Sequence, residues 1–435
     1  MDIKTVTVVG ANGTMGVNVS AIFAAFGNAK VYMVSRSIEK SASAAQAAVK
    51  SVRADSISKK LIPRDYSMLE ECISESDLVF ESVVENFDIK LSITKQIASC
   101  LTKEAIVCSG TSGLSITALA ECFTESQRGN YFGVHMFNPP YNMTLCELVV
   151  TDYADNEKKI KLQKYLTCVL HRTVIEVKDT PAFLANRIGF QFINEAMQYA
   201  EKYKDNGGVD YIDAILGTFT GRAMGPLVTA DFVGLDVHKA IVDNVYNNTK
   251  DYARSTFILP KFVQTLINEG KKGKKSGGGY YRTEIRSDNS KQLLVYDISS
   301  GIYREKNEYI FPFVVNMKKS IKNGDYSNAL EELIKNNSNE AEICMHFMLS
   351  YILYSLVTVE EVAFNTQAAD AAMAMGFNWC PPMAMIEAFS SVTDIRELVK
   401  ERVEKKIMEQ VDVDKLMRNI QKSEYDYRRF FKSSK

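Results

Sequence analysis

The chain has 435 residues, 46% hydrophobic and 24% charged, with 23 Gly and 9 Pro. That is ordinary globular composition, and it excludes a disordered, collagen-like or coiled-coil chain. Lys and Arg number 52 against 53 Asp and Glu, a net charge of −1, so no global field recruits nucleic acid or an anionic membrane.

The first element is the clearest. The β-branched run 4–9 (Lys-Thr-Val-Thr-Val-Val) leads directly into glycines and reads as a buried strand. The apolar, alanine-rich run 17–26 predicts a helix, 30–34 a second strand and 40–52 a second helix. Residues 77–80 and 105–108 predict further strands. Strands alternating with helices, as far as about Val177, imply a doubly wound parallel sheet with right-handed crossovers. From Asp179 the texture becomes helical, and Pro181–Lys204 reads as one long helix with Pro at its start. The lysine- and glycine-rich stretch 270–279 predicts a loop, and 292–305 a hairpin. Beyond 306 the chain is helical again, ending in a charged surface stretch, 425–435.

This gives a domain of α/β type over 1–177, a helical domain over 178–290, a hairpin linker over 291–305 and a second helical domain over 306–435. Residues 178–236 and 344–395 suggest a degenerate internal repeat. Asp213, Pro226 and Asp231 recur as Asp370, Pro382 and Glu387 with nearly equal spacing.

Eight cysteines without CxxC or Cys/His ligand spacing argue against a disulfide framework and a structural zinc site, and no metal centre is expected. No secretory leader is read at the N-terminus, and the longest mainly apolar stretch, 347–357, is too short to span a bilayer. The expected setting is a reducing cytoplasm.

Gly10-Ala-Asn12-Gly13-Thr14-Met15-Gly16 lies between a strand and a helix. Such a turn needs glycine torsions, and it lets backbone approach a pyrophosphate at a helix N-terminus. The usual spacing is G-x-G-x-x-G; here the first two glycines are one residue further apart. The second strand ends Val34-Ser35-Arg36-Ser37, with no carboxylate to bind an adenine ribose. Ser35 and Arg36 could hold a 2′-phosphate, and a merely solvated turn is the competing reading. Of four histidines, only His135 ends an apolar strand before an Asn-Pro-Pro turn, with Glu147 on the next apolar stretch. A chain reversal would pair them, and a His–carboxylate pair suits proton abstraction.

An ordered series of motifs over about residues 4–285 resembles the L-3-hydroxyacyl-CoA dehydrogenase family. It comprises the glycine turn, 81–90 (Glu-Ser-Val-Val-Glu-Asn-Phe-Asp-Ile-Lys), 109–112 (Ser-Gly-Thr-Ser), His135 to Pro139 with Glu147, and 179–187 ending Asn186-Arg187. Met224-Gly-Pro226, Asp231 to Asp236 and Gly273 to Tyr281 complete it. The resemblance implies a Rossmann domain followed by helical domains of the type shared with 6-phosphogluconate dehydrogenases. It implies His135 as general base and acid, Glu147 as its orienting partner, and Ser112 and Asn186 as hydrogen-bonding groups at the reacting oxygen. It places Gly10, Asn12, Gly13, Thr14, Met15, Gly16, Glu85, Lys90, Asn138 and Lys275 at the cofactor, while Ser35 and Arg36 stand where the family's acidic residue is missing.

The implied activity is NAD(P)-dependent interconversion of a 3-hydroxyacyl thioester, on CoA or a similar carrier, and the 3-keto compound. NAD follows from the family; Ser35-Arg36 leaves NADP open. An NADPH-dependent biosynthetic ketoreductase on a non-CoA substrate and a nucleotide-binding scaffold stand as rivals. Gly110 replaces the Asn usual in the family, and Ala182 a usual Gly. The last third resembles a second, decayed copy of the helical domain without an Asn-Arg pair. Such a copy could pair with the first inside one chain, giving a monomer instead of a homodimer.

Overall fold

The computed structural model describes residues 3–101, 105–418 and 420–433. The chain forms two compact units, Met1–Phe183 and Leu184–Lys435. The division thus falls at 183/184 rather than at 177/178, and the hairpin and last third belong to one unit with the preceding helices.

The first unit is built on an eight-stranded sheet in the order β3-β2-β1-β4-β5-β6-β7-β8. The strands are β1 (Thr5–Val9), β2 (Lys30–Ser35), β3 (Leu61–Asp65), β4 (Leu78–Glu81), β5 (Ile106–Ser109), β6 (Tyr131–Met136), β7 (Leu145–Val150) and β8 (Thr173–Lys178). All neighbours are parallel except β6 and β7, which run antiparallel with His135 directly opposite Glu147. A tight reversal after Pro139 cannot make a parallel crossover, so the sheet departs there from the all-parallel expectation. Strand β3 was not expected. Its Pro63 argues against a central strand but is tolerated at a sheet edge, where β3 lies. The central strands are buried on both faces, as their unbroken Val, Ile and Phe runs require.

The second unit is helical. Its first helix is Ala185–Lys202 rather than 181–204, because Ala182 and Phe183 just before it take left-handed torsions (φ 59° and 53°). Such torsions are the ones glycine adopts most readily. The hairpin forms as expected, but as part of a three-stranded sheet. Strand β10 (Lys291–Tyr296) pairs with β11 (Tyr303–Glu305) and with β9 (Tyr281–Ile285). It is tied to the helices by Arg304, whose guanidinium donates to both carboxylate oxygens of buried Asp210 at 2.9 and 2.7 Å. It is therefore no free linker. Helix Asn339–Val362 is long and apolar enough, by length and composition, to cross a membrane, and it exceeds the 347–357 stretch read from sequence. Most of it is buried within the unit, where Phe347, Met348, Leu349 and Ile352 form core.

One hydrogen-bond arrangement occurs twice in this unit. Asp213 accepts from Leu227 N (2.9 Å) and Val228 N (3.2 Å) at the start of helix Pro226–Val233, and from Tyr281 Oη (2.8 Å). Asp231 on that helix accepts from the backbone of Tyr280 and Tyr281. Likewise Asp370 accepts from Met383 N (2.8 Å) in helix Pro382–Ser390 and from Ser423 Oγ (2.5 Å). Glu387 on that helix accepts from Ser423 N (2.7 Å).

Burial pushes the Asp370 carboxyl up to about 7, against the pull of the Ser423 hydroxyl and the Met383 amide. Burial also raises Asp213 to about 7 and Asp231 to about 6. A carboxyl whose folded value lies above its unfolded value of roughly 3.9 contributes stability that is complete below that pH and lost as pH rises through the folded value. The thermal midpoint is therefore expected to fall as pH rises from about 4 to about 7 and to level off above that. Asp370→Asn, whose amide can still accept from Met383 and donate to Ser423, should flatten part of that fall and melt above the parent at pH 8. An unaltered pH slope in the variant would remove the assignment.

Candidate active site

The site in the first unit starts with the glycine turn. Gly10 has φ +81°, and its amide and that of Ala11 both donate to Val34 O, at 2.9 and 3.1 Å. This docks the turn on the end of β2. A Cβ on Gly10 would lie 2.6 Å from Ser82 O, and one on Gly16 would lie 2.4 Å from Gly10 O. Both positions are closed to any side chain, whereas at Gly13 a Cβ would meet only ordinary contacts. Gly13 caps helix Thr14–Ala25 with no side-chain hydrogen bond, so the first helical amides are left for an outside acceptor. The longer spacing thus keeps the features a pyrophosphate needs: a tight turn, bare backbone and a helix N-terminus.

Beside the turn lies a cleft of about 610 Å³. It is lined by Gly10, Asn12, Gly13, Thr14, Met15, Arg36 and Glu85, from the set expected at the cofactor, and by Ser112, expected at the reacting oxygen. Tyr66, Ser82 and Gly110 also line it. A Cβ at Gly110 would come within 2.9 Å of the Phe80 ring, so the family's Asn does not fit this backbone without movement.

Other expected residues take different places. Ser35 is buried; its hydroxyl donates to Ser37 O (3.0 Å) and shares a hydrogen bond with Ser41 (2.7 Å). It closes the β2 end from behind and does not face the cleft. Gly16 packs beneath Gly10. Lys90 is no surface charge. It is 1% exposed, with Nζ 2.9 and 3.1 Å from the two oxygens of Glu81 and 3.5 Å from Glu85. Glu85 in turn accepts from Thr111 Oγ1 (2.6 Å) and Ser112 N (2.8 Å). The lysine therefore acts behind the cleft wall, holding the carboxylates that fix the 111–112 loop. Ser115 caps the helix Ile116–Ala120 that follows Ser112, and Asp179 accepts from the Ile116 and Thr117 amides.

Sequence reasoning assigned no role to Glu81, Ser109 or Asn18. Glu81 ends β4, fully buried, and accepts from Ser109 Oγ (2.6 Å) and Val83 N (2.6 Å) as well as Lys90. The signal was present: an acid closing the apolar run 78–81 must be paired if the strand is central. Asn18 Nδ2 donates to Asn138 Oδ1 at 3.0 Å, fixing the exposed Asn138 side chain with its amide nitrogen outward.

His135 and Glu147 meet as the chain reversal predicted. Nδ1 lies 2.6 Å from Glu147 Oε2. The histidine is 5% exposed and the carboxylate fully buried, with Phe137 4.6 Å from the imidazole, ring centre to ring centre. A carboxylate only accepts, so Nδ1 carries the proton and Nε2 presents its lone pair. Because β1, β4, β5 and β6 are parallel, His135 and the glycine turn lie at the same, carboxyl-end edge of the sheet, where open α/β sheets bind ligands.

In the second unit Asn186 is buried in the first turn of helix Ala185–Lys202. Lys275 forms an ion pair with Asp236. Their assignments to the reacting oxygen and the cofactor rest on the resemblance alone.

A Rossmann-type sheet with a glycine-turn cleft and a His–carboxylate pair at one edge, followed by a helical unit, defines a class of nucleotide-binding two-part proteins. Residues 5–180 match the model of the 3-hydroxyacyl-CoA dehydrogenase NAD binding domain, and residues 183–283 that of the 3-hydroxyacyl-CoA dehydrogenase C-terminal domain. The chain is 35% identical over 214 residues to a probable 3-hydroxybutyryl-CoA dehydrogenase of Deinococcus radiodurans, covering 48% of this chain and 72% of that one. It is 29% identical over 314 residues to a probable 3-hydroxyacyl-CoA dehydrogenase of Bacillus subtilis, covering 71% of this chain but only 38% of that longer protein. The solved structure of 3-hydroxybutyryl-CoA dehydrogenase from Escherichia coli shares the fold at 20% identity, with a TM-score of 0.68 over 94% of this chain and 96% of that one. The chain belongs to the 3-hydroxyacyl-CoA dehydrogenase family.

Proposed function

We propose that this protein interconverts a 3-hydroxyacyl thioester and the 3-ketoacyl thioester with a nicotinamide dinucleotide, NAD in the family's model. The observation that carries this is the His135–Glu147 pair at the same sheet edge as a glycine turn open to phosphate. The dinucleotide, when bound, supplies the acceptor or donor of the hydride at C3 of the substrate. In the oxidative direction the C3 hydroxyl gives its proton to His135 Nε2 as the C3–H pair leaves, and the C3–O bond becomes a carbonyl. In reduction the same nitrogen returns the proton. Glu147 holds the Nδ1 proton and stabilises the imidazolium formed in between. Ser112, on the loop tied by Glu85, is the first-unit hydroxyl assigned to the reacting oxygen.

The test is a direct assay. Purified chain, given acetoacetyl-CoA and either reduced dinucleotide, should consume the nicotinamide absorbance at 340 nm, the standard reporter of hydride transfer. Dinucleotide binding without turnover of any 3-ketoacyl thioester would overturn the substrate.

The proposal extends to oligomeric state. The recurrence of the Asp213 arrangement at Asp370 supports reading the last third as a second copy of the helical domain. Two such copies paired within one chain would replace a contact between subunits. Light scattering is then expected to give a single chain's 48.8 kDa; a stable dimer would count against it.

A further inference from the structure

The end of β2 carries an observation the family reading does not absorb. Because the amides of Gly10 and Ala11 bind Val34 O, the residues just after Val34 border the adenosine end of any dinucleotide laid on the turn. A carboxylate there would accept from the ribose hydroxyls. None is present: Ser35 is buried and its hydroxyl is spent on Ser37 and Ser41. The next residue, Arg36, is exposed and lines the cleft with Gly10 and Tyr66. Among the described residues it has no hydrogen bond or ion pair, so the donors of its guanidinium are unclaimed. The two neighbouring acids are engaged elsewhere. Asp65 accepts from Ser67 N and Oγ at 3.0 and 2.6 Å. The Glu39 carboxyl is held low by its own backbone amide and the Ser37 hydroxyl.

We propose that Arg36 makes this protein select the dinucleotide that carries a 2′-phosphate. The inference rests on the dinucleotide reading of the cleft given above. A 2′-phosphate offers a dianionic, three-oxygen acceptor that a guanidinium binds in a forked, charge-assisted geometry. A free 2′-hydroxyl offers Arg36 no charge and finds no carboxylate to accept from it. A charge-assisted contact of this kind corresponds to about 10–100-fold in affinity.

The experiment uses the full chain and two probes that differ only in the phosphate: adenosine 2′,5′-bisphosphate and adenosine 5′-monophosphate, titrated by calorimetry. NADPH and NADH are titrated in parallel by nicotinamide fluorescence. The bisphosphate and NADPH are expected to bind about 10–100-fold tighter than their counterparts, and Arg36→Leu is expected to erase the gap. Arg36 is exposed and unpaired, so the variant should fold; its circular dichroism and melting check this. Equal binding of both probes, tighter binding of NADH, or a gap that survives in Arg36→Leu overturns the inference while leaving the dehydrogenase reading intact. Failure of all four ligands to bind removes the dinucleotide reading itself, and the inference with it.

Discussion

His135→Ala is expected to lower turnover by about 10²–10⁴-fold, the usual contribution of a positioned general acid–base. The dinucleotide should bind as before, since the imidazole is not among the residues lining the glycine-turn cleft. Loss should therefore appear in kcat with dinucleotide affinity retained. The effect is expected to be that large because the rings packed against the imidazole, Phe137 and Phe183, carry no titratable proton, and the Glu147 carboxylate is fully buried behind it. Glu147→Gln should act more mildly. Its amide oxygen can still accept from Nδ1, which preserves the ring orientation, but it cannot neutralise the imidazolium. A His135→Ala enzyme within a few-fold of the parent rate would remove the assigned chemistry, whatever the fate of the fold.

Lys90→Met is expected to destabilise the protein by about 3–5 kcal/mol, because it leaves a buried carboxylate without its cation. Glu81 is fully buried, and its remaining partners are one hydroxyl and one amide. The double variant Lys90→Met with Glu81→Gln removes both charges and should recover much of that loss in denaturant midpoint. Recovery would show that the unpaired charge, not the lost lysine stem, causes the effect. The single variant should also loosen the 111–112 loop, because Glu85, which holds Thr111 and Ser112, then loses its cationic neighbour. A midpoint close to the parent's for Lys90→Met would mean the Glu81 carboxylate is stable without its lysine.

The sequence by itself determined the glycine turn, the strand-helix alternation and the His–carboxylate pair, because each is local. A β-branched run favours a strand, the glycines after it allow a tight turn, and an Asn-Pro-Pro reversal returns the chain within a few residues. Only the tertiary structure decided which polar groups face the cleft and which lie behind it. Ser35 and Arg36 are adjacent in sequence, but successive residues at a strand end point to opposite sides, and only Arg36 reaches the cleft. In the sequence Lys90 is one charge among several, and its burial follows only once β4 and β5 place Glu81 and Ser109 side by side. Strand β3 was hidden by its proline, since its edge position depends on the whole strand order. Arg222 gave no signal at all, yet its guanidinium lies buried 3.7 Å from the centre of the Phe192 ring. Such placements depend on residues distant in the chain, and no local pattern encodes which of them will come together.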